Sequence, residues 1–284
     1  MPNTSAVLAG FLVALWCLPP LASASADDLS PQLHDRGLRF TNAVEVWDEA
    51  LPLGNGILGA LVWGDGKPLR ISLDRTDLWD LTPVPEYQSA DYNYATMRQW
   101  HEQGRHADLV RLYEAPYNRP APTKIPAGRI ELTLPAASGF LDTTLTVEDA
   151  MAAMGFNNGL GARIFVHAEL PVGLIQLSPA PSSGGVVPHL IPPPFGGRVA
   201  NAAAGGIGAG DLTQLGYPAP VQTSGAQWQA FTQQGAHGFH FAVYLAWRER
   251  DGAWLGAWSV ASSSEKGDPL SLARQRVEAA LDEG

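Results

Sequence analysis

The sequence predicts a mostly β protein: a large antiparallel β-sandwich, supersandwich-like, with a short helical insertion and a C-terminal helix. Three observations carry this. From Leu38 onward the chain breaks into short runs rich in Val, Ile, Leu, Phe, Thr and Trp. Clusters of Gly, Pro and Asp separate those runs at the short intervals that turns between antiparallel strands require. Helical periodicity is confined to two places.

In chain order, the strand candidates are residues 57–63, 69–74, 128–134, 139–149, 162–170, 172–178, 226–234, 238–247 and 253–263. The insertion comes after the second of them. There YNYATMRQWHEQ sets Tyr94, Met97, Trp100 and His101 on one helical face before Gly104 stops it, and HADLVRLYE supplies Leu109, Leu112 and Tyr113 for a second helix. At the C-terminus Asp268 suits a cap, Pro269 suits the first helical position, and Ala273, Val277 and Leu281 form a narrow apolar stripe. That stripe has no evident use inside a finished sandwich, so the chain reads as cut short within residues 265–284. Residues 179–221 are rich in Pro, Gly and Ala and lack periodicity. They read as an excursion from the 27–264 sandwich rather than a domain boundary, because strand signals resume beyond them.

The first 26 residues read as a secretory signal. An apolar run is interrupted by Pro19 and Pro20, and Ala22-Ser23-Ala24 and Ala24-Ser25-Ala26 both fit a small-residue cleavage site. A membrane anchor is the competing reading, and the run before the prolines is shorter than the ~20 residues a spanning helix needs. Cleavage leaves a secreted or periplasmic protein with no membrane contact. The single cysteine, Cys17, lies inside this segment behind bulky Trp16, a poor context for lipid attachment. A mature chain without cysteine must be held by its core rather than by disulfides. The formal net charge of -10 belongs wholly to the mature part. That balance excludes nucleic acid and anionic membrane surfaces as partners, since phosphate binding needs concentrated Lys and Arg.

Gly54, Gly56 and Gly59 have the spacing of a dinucleotide-binding loop. That loop needs a helix beginning on its glycines to hold the pyrophosphate. Here ALVW follows directly, and then Asp65-Gly66, a strong hairpin signal. The glycines therefore read as turn formers in a β-hairpin, and no cofactor is expected. HEQGRH carries one residue too many for a zinc-protease helix, which turns His106 about 140° around the helix from His101 at ~100° per residue. His237 and His240 read as lying on opposite faces of one strand. No metal is expected.

Carboxylates are the remaining chemistry. Asp48 and Glu49 sit together in WDEALPLGNG, and Asp74, Asp77 and Asp80 recur by threes in LDRTDLWD. Glycoside hydrolysis needs two carboxyl groups facing each other across the scissile bond, which neighbours on one segment rarely do. Capping and hydrogen bonding in the turn leaving the hairpin is the favoured role for Asp74 and Asp77. The eight tryptophans beyond Trp16 read mostly as filling of a thick core; the alternative is stacking on sugars.

VWDEALPLGNGILGALVWGDG, LRISLDRTDLWD, PAGRIELTL and LDTTLTVEDA, in this order, resemble the N-terminal domain of glycoside hydrolase family 95, best known for α-L-fucosidases. LTQLGYPAP through WQAFTQQ and DPLSLARQRVEAAL look like its continuation, so the likeness spans residues 36–282. The resemblance implies a β-sandwich followed by helices, an (α/α)6 barrel and a small β domain, which makes residues 265–284 the start of a helical linker to a missing catalytic barrel. It places the inverting acid and base, and the asparagines that help activate water, in the barrel, so no catalytic residue is carried onto this chain. What it implies is an inactive N-terminal domain whose partners are a missing or separate catalytic barrel and an oligosaccharide or glycoside substrate. Trp47, Glu49 and Asn55 are its candidates for the rim of the sugar site. Two other readings stand beside it: a free-standing carbohydrate-binding module, and a remnant of a disrupted gene.

Overall fold

The computed structural model describes residues 37–181, 185–195 and 212–283. The signal assigned to residues 1–26 and much of the excursion lie outside them. Among the described residues two antiparallel sheets face each other, so the predicted fold class stands. The larger contains β1 (Leu38–Phe40), β8 (Phe140–Thr146), β9 (Met151–Phe156), β10 (Gly161–Val166), β11 (Val172–Ser178), β16 (Ala253–Ser262), β15 (His240–Arg250), β14 (Trp228–Gln234) and β13 (Val221–Gly225), in that spatial order. The smaller runs β12 (Val187–Ile191), β7 (Arg129–Thr133), β4 (Leu69–Arg75), β3 (Leu58–Gly64) and β2 (Leu51–Gly54). A separate ribbon pairs β5 (Trp79–Asp80) with β6 (Thr123–Lys124).

The period-2 alternation that betrays these strands also builds the core. Leu58, Ala60 and Val62 of β3 and Leu69, Ile71 and Leu73 of β4 point inward, against Ala162 and Ile164 of β10 and Phe241, Val243 and Leu245 of β15. The hairpin reading of the glycines is borne out. Gly54 pairs with Gly59, Gly56 takes φ 87°, and Asp65-Gly66 turns β3 into β4, with Lys67 N–H donating to the Asp65 carboxylate at 2.8 Å. At Gly56 a left-handed conformation is needed that side chains rarely tolerate.

Three expectations are corrected. The excursion contains a strand: β12 pairs in register with β7, Leu190 opposite Ile130. Its prolines hid it, because Pro cannot donate to a ladder, and β12 tolerates Pro188 as the edge strand of its sheet. The two histidines do not share a strand. His237 lies in the turn Ala236–Gly238 at φ 53°, and β15 begins only at His240.

The C-terminal stripe, third, has a use. Helix α3 (Pro269–Glu283) buries Ala273, Val277 and Leu281 against the outer face of the large sheet, beside Tyr244, Ala246, Ala257 and Ala261. The small side chains of β15 and β16 let the helix approach closely. Asp268 caps it, accepting from Ser271 N–H at 2.8 Å. Its other end is tied down by Arg248 to Asp282 at 2.9 Å and by Arg250 donating to the carbonyls of Leu281 and Asp282. The helix is thus a third layer of this domain, and its stripe no longer argues for a missing barrel.

The insertion forms as read, with one refinement. Helix α1 (Tyr94–Glu102) is capped by Asn93, whose side chain accepts from Thr96 N–H at 2.9 Å, and Gly104 follows at φ 68°. Helix α2 (His106–Leu109) runs on as a π-helical turn over Val110–Glu114. Trp100, Leu112 and Tyr113 make a small core of their own, while Tyr94, at 77 % exposure, and Met97 face outward.

Candidate functional site

The rim candidates come from one chain segment but not from one place. Trp47 and Glu49 belong to a single 3-10 turn that packs its indole partly against the fold and leaves the carboxylate exposed. Asn55 follows the far end of β2, and an extended strand of four residues rises about 13 Å. Asn55 is also fully occupied. Its Oδ1 accepts from Ile57 N–H at 3.0 Å and Leu58 N–H at 2.9 Å, and its Nδ2 donates to the carbonyls of His167 and Leu170, both at 2.9 Å. An amide has two donors and two acceptor lone pairs, so Asn55 shapes the hairpin and pins it to the β10–β11 loop of the facing sheet.

LDRTDLWD folds into a latch. The side chain of Arg75, 6 % exposed, donates to Asp77 at 2.8 Å and to the Val260 carbonyl at 3.0 Å, and pairs with Glu265 at 3.1 Å. Glu265 is held in turn by Arg276 of α3 at 2.5 Å, and Asp77 accepts from the Ser262 hydroxyl at 2.5 Å. Asp74 pairs with Lys124 at 2.6 Å, and Lys124 lies 5.9 Å from the Trp79 ring centroid. The expectation that Asp74 and Asp77 serve local hydrogen bonding is borne out and extended: the motif joins the small sheet, the large sheet and α3. Sequence reading singled out its acids and missed Arg75, whose partners Val260 and Glu265 lie nearly two hundred residues away.

Asp80, 4 % exposed, accepts from Thr82 N–H at 2.8 Å and from the Tyr217 hydroxyl. Burial pushes its carboxyl up, but the hydrogen bonds from Thr82 and Tyr217 outweigh that and hold it below the usual carboxylate value. Burial, reinforced by the adjacent carboxylate, drives the Tyr217 phenol well above its usual value. Glu265 follows the pattern of Asp80: burial raises it, and the Arg276 hydrogen bond and the Arg75 charge bring it net downward. Carboxyls lowered in the folded state stabilise it above their unfolded values, and that stabilisation is lost as pH falls through the folded ones. Urea midpoints are therefore expected to drop as pH falls from roughly 5 to 3, with a shallower drop in Asp80→Asn, which starts from a lower midpoint at pH 7. Parallel curves for the two proteins would remove Asp80 from this role.

The tryptophans divide. Trp254 and Trp258 belong to the sandwich core, and Trp100 to the insertion. Trp63, 2 % exposed, lies outside that core: it donates to Ser72 Oγ at 3.0 Å with Arg70 over its ring. Trp79 is 44 % exposed, and Trp47, Trp228 and Trp247 are partly so. Trp247 still packs against the sandwich core and Trp228 against the cluster under α3, so most of the eight serve packing, as expected. Trp247 borders an open groove of about 790 Å3, together with Glu249, Ser224 and Gln229.

Residues 38–163 match the family model described as Glycosyl hydrolase family 65, N-terminal domain. No curated protein matches the chain. The matched span, under half of the chain, runs from β1 into β10 and contains both the Asn55 hairpin and the Asp74–Asp80 latch. β12, the Trp247 groove and α3 lie outside it. This stretch is thus similar to a glycoside hydrolase N-terminal domain, of family 65 rather than the family 95 its motifs resemble. Within this chain GNG shapes the hairpin and LDRTDLW the latch, so both motifs have structural work.

Proposed function

We propose that this chain is the non-catalytic N-terminal sandwich of an exported glycoside hydrolase, acting beside a catalytic (α/α)6 barrel, with an α-L-fucoside as the substrate its motif resemblance favours. One observation carries the reading: over the stretch similar to a hydrolase N-terminal domain, the acids of the LDRTDLWD motif are consumed by structural partners. Inverting hydrolysis needs two carboxyl groups about 6.5–9.5 Å apart across a cleft. Four grooves among the described residues, bordered by Trp247, Arg163, Leu190 and Tyr94, hold one acid each or none. Trp47 and Glu49, on the exposed turn before β2, are the side chains this reading offers to the rim of the barrel's sugar site, with Asn55 setting the hairpin beyond them. Export rests on the signal-like residues 1–26 and on a mature chain without cysteine.

The test is an assay of the purified chain with aryl α-L-fucoside and aryl α-glucoside. No turnover above the uncatalysed rate is expected with either. Turnover that disappears in Glu49→Gln, or on changing any other single carboxylate, would make this a catalytic domain and overturn the proposal.

A further inference from the structure

Among the described residues the two sheets differ in width, and part of the larger sheet's inner face extends past the smaller one. Nine strands face five, and β12, the edge of the small sheet, packs over β14. Beyond it, among the described residues, no strand of the small sheet lies over the inner face of β14 and β13. The residue types change there. Phe231 of β14 is core, but next on the same face comes Gln229, and their partners on β13 are Gln222 and Ser224. Gln229 closes the flank of the sandwich by acting on β12 as a neighbouring strand would: it accepts from Leu190 N–H at 2.6 Å and donates to the Pro188 carbonyl at 2.9 Å.

β15 makes the same transition lengthwise. Its inward column is Phe241, Val243 and Leu245, all core, then Trp247, partly exposed, then Glu249, exposed. Glu249 pairs across the ladder with Trp254, whose ring folds over Gly256, the residue opposite Trp247. An indole, a carboxylate and the serine Ser224 thus border one groove of about 790 Å3. Ligand pockets commonly combine this size, an aromatic floor and a few convergent polar groups.

We propose that this open end of the sandwich binds a neutral oligosaccharide, Trp247 stacking on the C–H face of a pyranose ring while Glu249 and Ser224 take its hydroxyls. A flat indole suits the apolar face of a sugar, and a carboxylate accepts from two adjacent hydroxyls. Acidic sugars are disfavoured. Glu249 repels them, and the guanidinium of Arg248, which also borders the groove, is paired with Asp282 of α3. The site does not depend on the hydrolase reading, and the two fail differently: one by turnover of an aryl glycoside, the other by absence of binding.

The experiment titrates the purified chain with maltohexaose, cellohexaose, xylohexaose and 2′-fucosyllactose, following tryptophan fluorescence and calorimetric heat. Saturable binding of at least one is expected, weakened at least ten-fold in Trp247→Ala and in Glu249→Ala, partly retained in Trp247→Phe, and unchanged in Trp79→Ala, which removes an exposed indole elsewhere. Glu249→Ala should melt like the parent, so its loss of binding is not loss of fold. No response to any of the four, equal binding by trigalacturonate, or binding undiminished in both Trp247→Ala and Glu249→Ala would overturn the assignment.

Discussion

Replacing Arg75 by alanine is expected to lower stability by about 3 kcal/mol and the melting temperature by on the order of 10 °C. The guanidinium is all but fully buried and serves three acceptors, Asp77, Glu265 and the Val260 carbonyl. Its removal leaves two carboxylates facing each other without the charge between them and strands a buried carbonyl. Breaking a buried ion pair from one side costs about 3–5 kcal/mol; here the lower end applies, because Asp77 and Glu265 keep 30 % and 20 % of their side-chain exposure. Arg75→Lys should recover little, since a single ammonium cannot reproduce a planar fork with three separate acceptors. Urea denaturation of the two variants measures both effects. A loss under about 0.5 kcal/mol for Arg75→Ala, the range of an ordinary surface change, would show that the latch is not what joins the sheets to α3.

Val277→Asp should detach α3 from the large sheet. Val277 is fully buried between Ala273 and Leu281 on one side and the small residues of β15 and β16 on the other. A carboxylate there has no partner, so the choice is a buried unpaired charge or an undocked helix. The expected loss is about 3–5 kcal/mol, the range of the largest single-residue effects, with faster amide exchange along α3 and new dye-binding apolar surface on the sheet. Ala279→Asp, two residues on and exposed, should change stability by less than about 0.5 kcal/mol. If both variants melt alike, the packing of the stripe contributes nothing.

These residues also show how far sequence reading reaches. The Asp268 cap, the Gly104 stop of α1 and the Gly56 turn were legible because each is local: the residue that signals the element is the one that makes its hydrogen bond or takes its dihedral angle. β12 was not, since a proline-rich run denies the alternation that marks a strand, and only its pairing with β7 reveals it. Asn55 was read as a rim candidate, whereas its observed contacts close the turn after β2 and donate to His167 and Leu170, joining positions more than a hundred residues apart. The stripe on α3 was legible as apolar and misread as unemployed, because its partner is the outer face of a sheet whose strands lie elsewhere in the chain.

By itself, then, the sequence determined the β class, most of the strands, both hairpin turns around β3 and the two helical regions, since alternation, capping and turn chemistry act over a few residues. Tertiary structure decided which tryptophans are covered, what Arg75 holds together, and that Trp247 and Glu249 continue the inward column of β15 from the core to the border of a groove. Burial depends on what another part of the chain lays on top, and the unequal width of two sheets is written in no single stretch of residues.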